Sequence, residues 1–267
     1  MKAGYFQFRP IFGEVKRNLH KIITTLEHTT ADLIVLPELA LTGYLFKDRS
    51  EVIAHAEEIK NSSSVSALVE LCRKRKFHLV TGFAEKSNGA CYNSALLIGP
   101  EGVLHTYRKL HLFNEEKNLF DQGDIPLSVQ KIGSVKIGLM VCFDWIFPEV
   151  CRVLAVQGAD IICHPANLVM GYCQQTMLSR CLENHIYAIT ANRFGTDRRP
   201  HGELHFTGKS QIAGPRAELI HRAPAQREEL FIYDLDIELA RQKKITPLND
   251  VISDRRPGYY SRLCLNY

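Results

Sequence analysis

Short apolar runs alternate with amphipathic stretches along the first hundred residues. Residues 14–28 carry apolar side chains at the three- and four-residue spacing of a helix, and residues 63–76 repeat this spacing. Residues 32–36 hold a continuous apolar run that ends at Pro37, as expected of a strand buried on both faces. Further strands are predicted over residues 2–8, 77–84 and 92–99.

The second half of the chain continues this alternation. The pattern predicts strands over residues 134–141, 160–163, 186–191, 210–213, 218–221 and 229–235, and helices over 148–157 and 174–184. Strands that alternate with helices indicate an α/β architecture. The sequence has no fixed-period repeat and no long linker rich in Pro, Gly or Ser. We therefore predict one domain, 1–267, with a C-terminal tail from about residue 248.

Composition and charge exclude several classes of partner. Hydrophobic residues make up 45% of the chain and charged residues 23%, as in ordinary globular proteins. The net charge is +4, and the densest basic cluster, residues 73–76, ends a predicted helix, where cations complement the helix dipole. We therefore expect neither a nucleic-acid nor a membrane partner. No apolar run is long enough to span a bilayer and no secretory signal is recognisable, so a cytoplasmic location is predicted.

The cysteine and histidine patterns give no sign of a metal or other cofactor. The eight cysteines include no C-x-x-C pair, so neither a zinc ribbon nor a redox dithiol is predicted. They are expected to be reduced thiols, most of them buried as small apolar side chains. His164, His201 and His205 lack metal-ligand spacing, and we expect them in surface or loop positions.

Cys142 differs from the other cysteines in its surroundings. The predicted strand 134–141 leads directly into it, and Pro148 then begins a predicted helix. A sharp turn between a strand and a helix exposes a nucleophile at the edge of a sheet. Such a turn also directs a backbone N–H, here that of Phe143, towards an oxyanion at the same place. An isolated cysteine at a strand end is more often structural, so its role depends on its neighbours.

Two other segments supply the charges that a cysteine nucleophile needs. Glu38 follows the buried strand 32–36, and Lys109 lies among apolar and aromatic residues. A buried charge is costly unless it is paired, so either residue alone fits one half of a structural ion pair. Their order along the chain is more informative, because a Glu, a Lys and a Cys each follow a different predicted strand.

In three segments the sequence resembles the nitrilase superfamily of carbon-nitrogen hydrolases. These are residues 36–44 around Glu38, 107–113 around Lys109 and 141–149 around Cys142; weaker similarity occurs at Gln7, Gly123-Asp124, 164–167 and 180–192. The resemblance covers nearly the whole chain and is nearest to small aliphatic-amidase or nitrilase-like members. It implies a four-layer αββα sandwich and a Glu–Lys–Cys triad.

The resemblance also implies a role for each residue. Cys142 attacks the carbonyl carbon, Glu38 takes the thiol proton and later activates water, and Lys109 stabilises the oxyanion. Glu116 is the predicted second carboxylate, with its neighbour Glu115 as the alternative. The predicted reaction is hydrolysis of a non-peptide carbon-nitrogen bond in a small amide, through a cysteine thioester and without a cofactor.

The pocket and the assembly follow from the same comparison. The residues predicted to bind substrate are Tyr44, Phe113, Phe143, Trp145 and Asn167. They flank the proposed site and would supply aromatic walls and one orienting amide, although ordinary core packing explains each of them equally well. The resemblance further suggests a homodimer or a larger homo-oligomer. The expected interface is the region from Cys142 to about residue 184 together with the C-terminal tail.

Several alternatives stay open at this stage. A nitrilase or an N-carbamoyl-amine hydrolase uses the same triad, because the pocket rather than the triad selects the leaving group. His111, two residues after Lys109, is an alternative base for a Cys–His pair. A catalytically silent binding or assembly protein on the same fold is the alternative of another class. The intact set of Glu38, Lys109 and Cys142 argues against it.

Overall fold

The computed structural model describes residues 1–265, so residues 266 and 267 of the predicted tail lie outside the described residues. The strands are β1 (Lys2–Gln7), β2 (Leu33–Val35), β3 (His78–Ser87), β4 (Ala90–Gly99), β5 (Gly102–Arg108), β6 (Val129–Ile132), β7 (Val135–Leu139), β8 (Ile161–Ala166), β9 (Tyr187–Asn192), β10 (Phe194–Arg199), β11 (Gly202–Thr207), β12 (Gln211–Ala213), β13 (Leu219–Arg222) and β14 (Glu229–Asp234). The helices are α1 (Val15–Leu26), α2 (Arg49–His55), α3 (Ser63–Arg75), α4 (Glu116–Leu119), α5 (Pro148–Val156), α6 (Cys173–Asn184) and α7 (Ile237–Arg241).

Two six-stranded sheets contain most of these strands. The first has the order β14-β1-β2-β3-β4-β5, and the second has the order β13-β12-β9-β8-β7-β6. The central strands β1, β2 and β3 are parallel, as are β7, β8 and β9, whereas the outer strands pair antiparallel. Strands β10 and β11 form a separate antiparallel hairpin. Because neighbouring parallel strands end at the same edge of a sheet, residues that follow β2, β7 and β8 are well placed to meet.

Alternating side chains of the central strands build the layers. Tyr5 of β1 belongs to the apolar cluster that includes the second sheet. Its neighbour Phe6 belongs to the cluster formed with Ile22 of α1 and Leu68 of α3. Both faces of the strand are therefore buried, which explains the continuous apolar runs in the sequence. Helices α5 and α6 cover the second sheet, and the predicted αββα sandwich is confirmed.

The helix boundaries follow from local chemistry. The Ser62 side chain caps α3 by accepting a hydrogen bond from the Val65 N–H at 2.9 Å. Helix α5 begins at Pro148, which has no N–H to leave unpaired in the first turn. Gly158, at a φ of +89°, follows its end, in the left-handed region where glycine is favoured. These three signals are local, so the sequence predicts these ends closely.

The pattern did not predict several elements that carry polar or half-buried side chains. These are α2, the edge strands β5 and β6, and the β10–β11 hairpin. The hairpin illustrates the reason, because Asp197, Arg198 and Arg199 occupy consecutive positions of β10 and leave no apolar alternation. Each of these strands pairs with the strand next to it in sequence, and β10 is also held by a long-range ion pair between Arg199 and Glu51 at 2.6 Å.

Two surface features bear on assembly and membrane contact. Within residues 1–265, no helix combines the length and the apolar character needed to cross a membrane. The predicted interface region exposes apolar side chains on α5 and α6, among them Val156 at 47% and Leu182 at 48%. The described part of the tail exposes Tyr259 and Leu263. Self-association through these surfaces stays a prediction.

Gly82 of β3 controls how closely the turn after β2 approaches the sheet. Its N–H donates to the Pro37 carbonyl at 3.1 Å, and a Cβ at this position would lie 2.3 Å from the Glu38 Cα. We predict that Gly82→Ala lowers the free energy of unfolding by about 2–3 kcal/mol, because the turn must move away from the strand. Denaturant titration measures the change. Gly258→Ala is the matched control, since its Cβ meets no atom within 4 Å; equal effects of the two variants would contradict the prediction.

Candidate active site

Three distant segments of the chain meet at one edge of the two sheets. Glu38 follows β2, Lys109 directly follows β5, and Cys142 begins a short 3-10 helix, Cys142–Ile146, just after β7. The predicted residues are therefore brought together by the ends of three strands from both sheets. All three are buried, and 6% of Cys142 remains exposed.

A buried ammonium group between two carboxylates forms the centre of this site. The Lys109 Nζ donates to the Glu38 Oε1 at 2.8 Å and lies 2.8 and 2.7 Å from the Glu116 Oε1 and Oε2. Glu116 also accepts hydrogen bonds from the Tyr44 hydroxyl at 2.6 Å and the Phe113 N–H at 3.1 Å. Partners surround both oxygens of Glu116, as a buried carboxylate requires.

The structure distinguishes the two candidates for the second carboxylate. Glu116 is 2% exposed and contacts Lys109, whereas the neighbouring Glu115 is exposed and accepts a hydrogen bond from Asn118. Sequence spacing alone left the choice open, because adjacent residues of a short helix point in different directions. The geometry places Glu116, and not Glu115, against the ammonium group.

Hydrogen bonds from Asn93, Asn167 and Gly123 hold Glu38 and Lys109 in place. Asn93 of β4 donates to the Glu38 Oε1 at 2.7 Å, and Asn167 donates to the Glu38 carbonyl oxygen at 2.9 Å. The N–H of Gly123 donates to the Lys109 carbonyl at 3.0 Å, and a Cβ there would lie 2.2 Å from the Arg108 carbonyl oxygen. The sequence similarity at Gly123 thus marks a close backbone approach beside Lys109.

Cys142 has a backbone conformation that is rare for a residue with a side chain. Its φ is +42°, in the left-handed region. Asp144, two residues later, stabilises this turn: its Oδ2 accepts from the Val141 N–H at 2.9 Å and from the Tyr107 hydroxyl at 2.7 Å. A strained backbone that is fixed by its surroundings is a common feature of active sites.

Two histidines, His111 and His164, support the same turn. Among the described residues, neither ring is hydrogen-bonded to the Cys142 sulfur. The Nδ1 of His111 lies 2.8 Å from the Asp144 Oδ1, and its ring stacks on Phe147 at 3.6 Å. The prediction of a surface or loop position for His164 is wrong, because this residue is fully buried in β8. Burial lowers the pKa of His164 to about 4, so its neutral ring donates from Nε2 to the Cys142 carbonyl at 2.9 Å.

Burial and charge set the protonation of the central residues. Burial raises the pKa of Glu38 above its ordinary value; the Lys109 ammonium opposes this rise and the Glu116 carboxylate adds to it. Burial lowers the pKa of Lys109, but the carboxylates of Glu116 and Glu38 outweigh it, and the ammonium stays charged. Burial, followed by the charge of Glu38, also raises the pKa of Cys142 well above its ordinary value. At neutral pH the sulfur is therefore a thiol beside a potential base.

Two spaces adjoin at the site, a narrow cavity that Cys142 lines and a wide cleft that it does not line. The narrow cavity, about 10 Å³, holds little more than a water molecule and is lined by residues that include Cys142, Phe143, Trp145 and Asn167. The wide cleft of about 510 Å³ is lined by charged and polar residues as well as by apolar ones, which include Tyr44, Phe46, Phe120 and Leu204. Phe113 and Val169 line both spaces. All five predicted substrate-binding residues thus line one or both of these spaces.

The described residues include no cluster of three or more His, Cys, Asp or Glu side chains arranged to hold a metal ion. Sequence reasoning missed Asn93, Tyr107, Asp144 and His164, which complete the hydrogen bonds of the site. Signals existed for three of them: Asp144 lies two residues from Cys142, and Tyr107 and His164 fall within the segments 107–113 and 164–167 that resemble the family. Asn93 lies on β4, whose register the sequence does not reveal.

Comparison with known proteins gives this fold and site a family. A family model described as carbon-nitrogen hydrolase matches residues 2–245. A protein named nitrilase from Pyrococcus abyssi is 43% identical over 265 residues, which cover 98% of this chain and 100% of the relative. An (R)-stereoselective amidase from a Pseudomonas species is 30% identical over 261 residues, covering 96% and 92%. A solved amidase structure from Nesterenkonia sp. AN1 superimposes with a TM-score of 0.84 at 25% identity, covering 98% and 99%.

The chain belongs to the carbon-nitrogen hydrolase family, within the nitrilase superfamily. The predicted family and class of enzyme are confirmed, and the relatives include both amidases and nitrilases. The amidase structure carries acrylamide that has added to that protein's active-site cysteine. An enzyme of this family hydrolyses carbon-nitrogen bonds, so the alternative of a catalytically silent binding protein is not supported.

Asp144 is expected to be the main stabilising contact of the turn at Cys142. Removing its carboxylate leaves the buried Tyr107 hydroxyl and the Val141 N–H without their acceptor. We predict that Asp144→Ala lowers the free energy of unfolding by about 3 kcal/mol and Tyr107→Phe by about 1 kcal/mol. The difference is expected because only Asp144→Ala leaves several buried donors without an acceptor. Chemical denaturation measures both values. Similar losses in the two variants would show that Asp144 acts through Tyr107 alone.

Proposed function

We propose that this enzyme hydrolyses small amides through a Cys142 thioester, with Glu38 as general base and Lys109 as the cation that stabilises the oxyanion. The observation that carries the proposal is the convergence of Glu38, Lys109 and Glu116 at 2.7–2.8 Å beside the Cys142 cavity. A buried cluster of this kind is expensive to maintain, and its chemistry matches the steps of acyl transfer.

The first half-reaction forms the acyl-enzyme. Glu38 removes the proton from the Cys142 thiol as the sulfur attacks the carbonyl carbon, and the carbonyl oxygen becomes an oxyanion. Lys109 and the Phe143 N–H stabilise this oxyanion. The tetrahedral intermediate then collapses, the carbon-nitrogen bond breaks, and Glu38 returns the proton to the leaving nitrogen. Ammonia or an amine departs and the acyl group stays on the sulfur.

The second half-reaction regenerates the thiol. Glu38 takes a proton from a water molecule that attacks the thioester carbon, and a second oxyanion forms beside Lys109. The carbon–sulfur bond breaks, the proton returns to the sulfur, and the carboxylic acid is released. On this proposal Glu116 fixes the position of Lys109 and adds negative charge that makes Glu38 a stronger base.

A nitrilase reaction is the second candidate, because the Pyrococcus abyssi relative that bears this name is 43% identical over almost the whole chain. Addition of the thiol to a nitrile carbon uses the same three residues. The solved amidase that superimposes over 98% of this chain and the amidase relative support the amide as substrate. Rates of ammonia and acid release from matched amides and nitriles compare the amidase reaction with the nitrilase reaction.

The nucleophile is tested by removing its sulfur. We expect Cys142→Ala to lower kcat/KM on a hydrolysed amide by about 10⁴-fold or more, because no acyl-enzyme forms. Turnover is measured by ammonia release, and the acyl-enzyme is sought by intact mass spectrometry with identification of the modified peptide. Circular dichroism verifies that the fold survives.

Cys163→Ala is the matched control for this substitution. Cys163 is also fully buried, but it lies within β8 and lines neither the narrow cavity nor the wide cleft. It is expected to retain activity within a few-fold of the unmodified enzyme. Turnover by Cys142→Ala, or an acyl group found on a different cysteine, would exclude Cys142 as the nucleophile.

The acid limb of the pH profile tests the role of Glu38. As a base, Glu38 acts in its carboxylate form, so kcat/KM rises with pH through its pKa, which lies above the ordinary value of 4.5. The charge of Glu116 contributes to that rise. We predict that Glu116→Gln moves the acid limb to lower pH, because the buried negative charge beside Glu38 is removed.

Glu115→Gln is the control for this shift, since Glu115 is exposed and does not contact Lys109. Its acid limb should coincide with that of the unmodified enzyme. The measurement is kcat/KM for one amide across the pH range in which both variants stay folded. An acid limb that stays in place or moves to higher pH in Glu116→Gln would argue against the proposed coupling.

A further inference from the structure

Asn167 is a buried polar residue that adjoins both Cys142 and Glu38. It directly follows β8, is 3% exposed and lines the narrow cavity together with Cys142. Its backbone N–H slightly opposes the rise in the pKa of the Cys142 thiol, and its side-chain Nδ2 donates to the Glu38 carbonyl oxygen at 2.9 Å. Any substrate carbonyl that approaches the sulfur must therefore come close to this residue.

The orientation of the Asn167 amide is fixed by chemistry. Its Nδ2 lies 2.9 Å from the Glu38 carbonyl oxygen, which can only accept a hydrogen bond. The nitrogen must therefore occupy this side, and the Oδ1 takes the other. Among residues 1–265 the Oδ1 has no hydrogen-bond partner although it is fully buried. A buried acceptor without a donor is costly, so a ligand N–H is a favourable partner for it.

A second buried acceptor lies beside the same sulfur. The Glu38 Oε2 also has no partner among the described residues, because Lys109 and Asn93 both bind the Oε1. The Oδ1 of Asn93 is unpaired as well, but Asn93 does not line the narrow cavity. Two acceptors thus lie close to the reaction centre. A primary amide brings two N–H donors to them, whereas a nitrile brings none.

We infer that the Asn167 Oδ1 accepts a hydrogen bond from the –NH₂ group of a primary amide and so selects amides over nitriles. This inference rests on the proposed function and names its substrate class. The hydrogen bond directs the leaving nitrogen towards Glu38, which returns the thiol proton to it as the carbon-nitrogen bond breaks. A site built to bind a donor rejects the analogue that lacks it, because its own acceptor is then left unpaired.

The test is the ratio of kcat/KM for butyramide to kcat/KM for butyronitrile. Asn167→Leu replaces the amide by an apolar group of similar size. It should lower the ratio by about tenfold or more, because only the amide loses a hydrogen bond. Asn167→Asp keeps an acceptor at the Oδ1 position but loses the donor to the Glu38 carbonyl oxygen. Both substrates are affected by that loss, so the ratio should remain within about threefold of the unmodified enzyme. Asn61→Leu, on the exposed surface, controls for the substitution itself and should leave the ratio unchanged.

The same ratio distinguishes binding of the substrate by Asn167 from an effect of Asn167 on the position of Glu38. If Asn167 only positions Glu38, both substrates lose activity in proportion, since the base serves both reactions; an unchanged ratio in Asn167→Leu would overturn the inference. A wild-type enzyme that hydrolyses the nitrile but not the amide would also overturn it. An enzyme that hydrolyses neither substrate would instead refute the proposed function.

Binding without turnover gives a second readout that does not depend on activity. In the Cys142→Ala background, ligand-observed NMR measures the dissociation constants of butyramide and butyronitrile with and without Asn167→Leu. The additional substitution should weaken the amide by about tenfold and the nitrile by less than about twofold. If the leucine variant does not fold, Asn167→Ala takes its place. Equal weakening of the two ligands contradicts the inference.

Discussion

The buried ion cluster of Lys109, Glu38 and Glu116 is the constraint around which the site is built. Each charge is expensive to remove from water, and each carboxylate is stabilised because the Lys109 ammonium group lies within 2.8 Å of it. Removing Lys109 would leave two carboxylates without a cation in the interior. The three residues come from separate segments, so the cluster forms only when both the turn after β2 and the segment after β5 have reached their native places.

Burial of this cluster sets the protonation of its members. Two carboxylates face a single ammonium group, and all three are shielded from water. Burial is the main cause of the raised pKa values of Cys142 and Glu38; the charge of Glu38 adds to the rise at Cys142, and the charge of Glu116 adds to the rise at Glu38 against the opposing Lys109 ammonium group. A resting thiol beside a base of raised pKa favours proton transfer during attack over a preformed thiolate.

A second network fixes the sulfur relative to this cluster. Asp144 binds the Val141 N–H and the Tyr107 hydroxyl, and His164 binds the Cys142 carbonyl. Tyr107 lies on β5, one of the strands of the first sheet, whereas Cys142 follows a strand of the second. The network therefore joins the two sheets across the site. It also holds the strained backbone of Cys142, whose cost is offset by contacts elsewhere in the fold.

The sequence by itself located most of the strands and the long helices, and it identified Glu38, Lys109 and Cys142 as candidate reactive residues. Its apolar periodicity located the central strands and the long helices, because burial on one or two faces repeats at the spacing of each element. The positions of Glu38, Lys109 and Cys142, each following a strand, were also readable from local pattern and family resemblance. These features are local, since a strand end and a burial pattern depend on a few neighbouring residues.

Only the tertiary structure decided how the buried polar groups are paired. The sequence did not distinguish Glu115 from Glu116 as the partner of Lys109. It also did not reveal that His111 pairs with Asp144 or that His164 is buried in the core. The polar hairpin β10–β11 was equally invisible to the pattern. The physical reason is common to all of them: a buried donor or acceptor is satisfied by whichever group long-range packing brings within 3 Å, and no local periodicity records that partner.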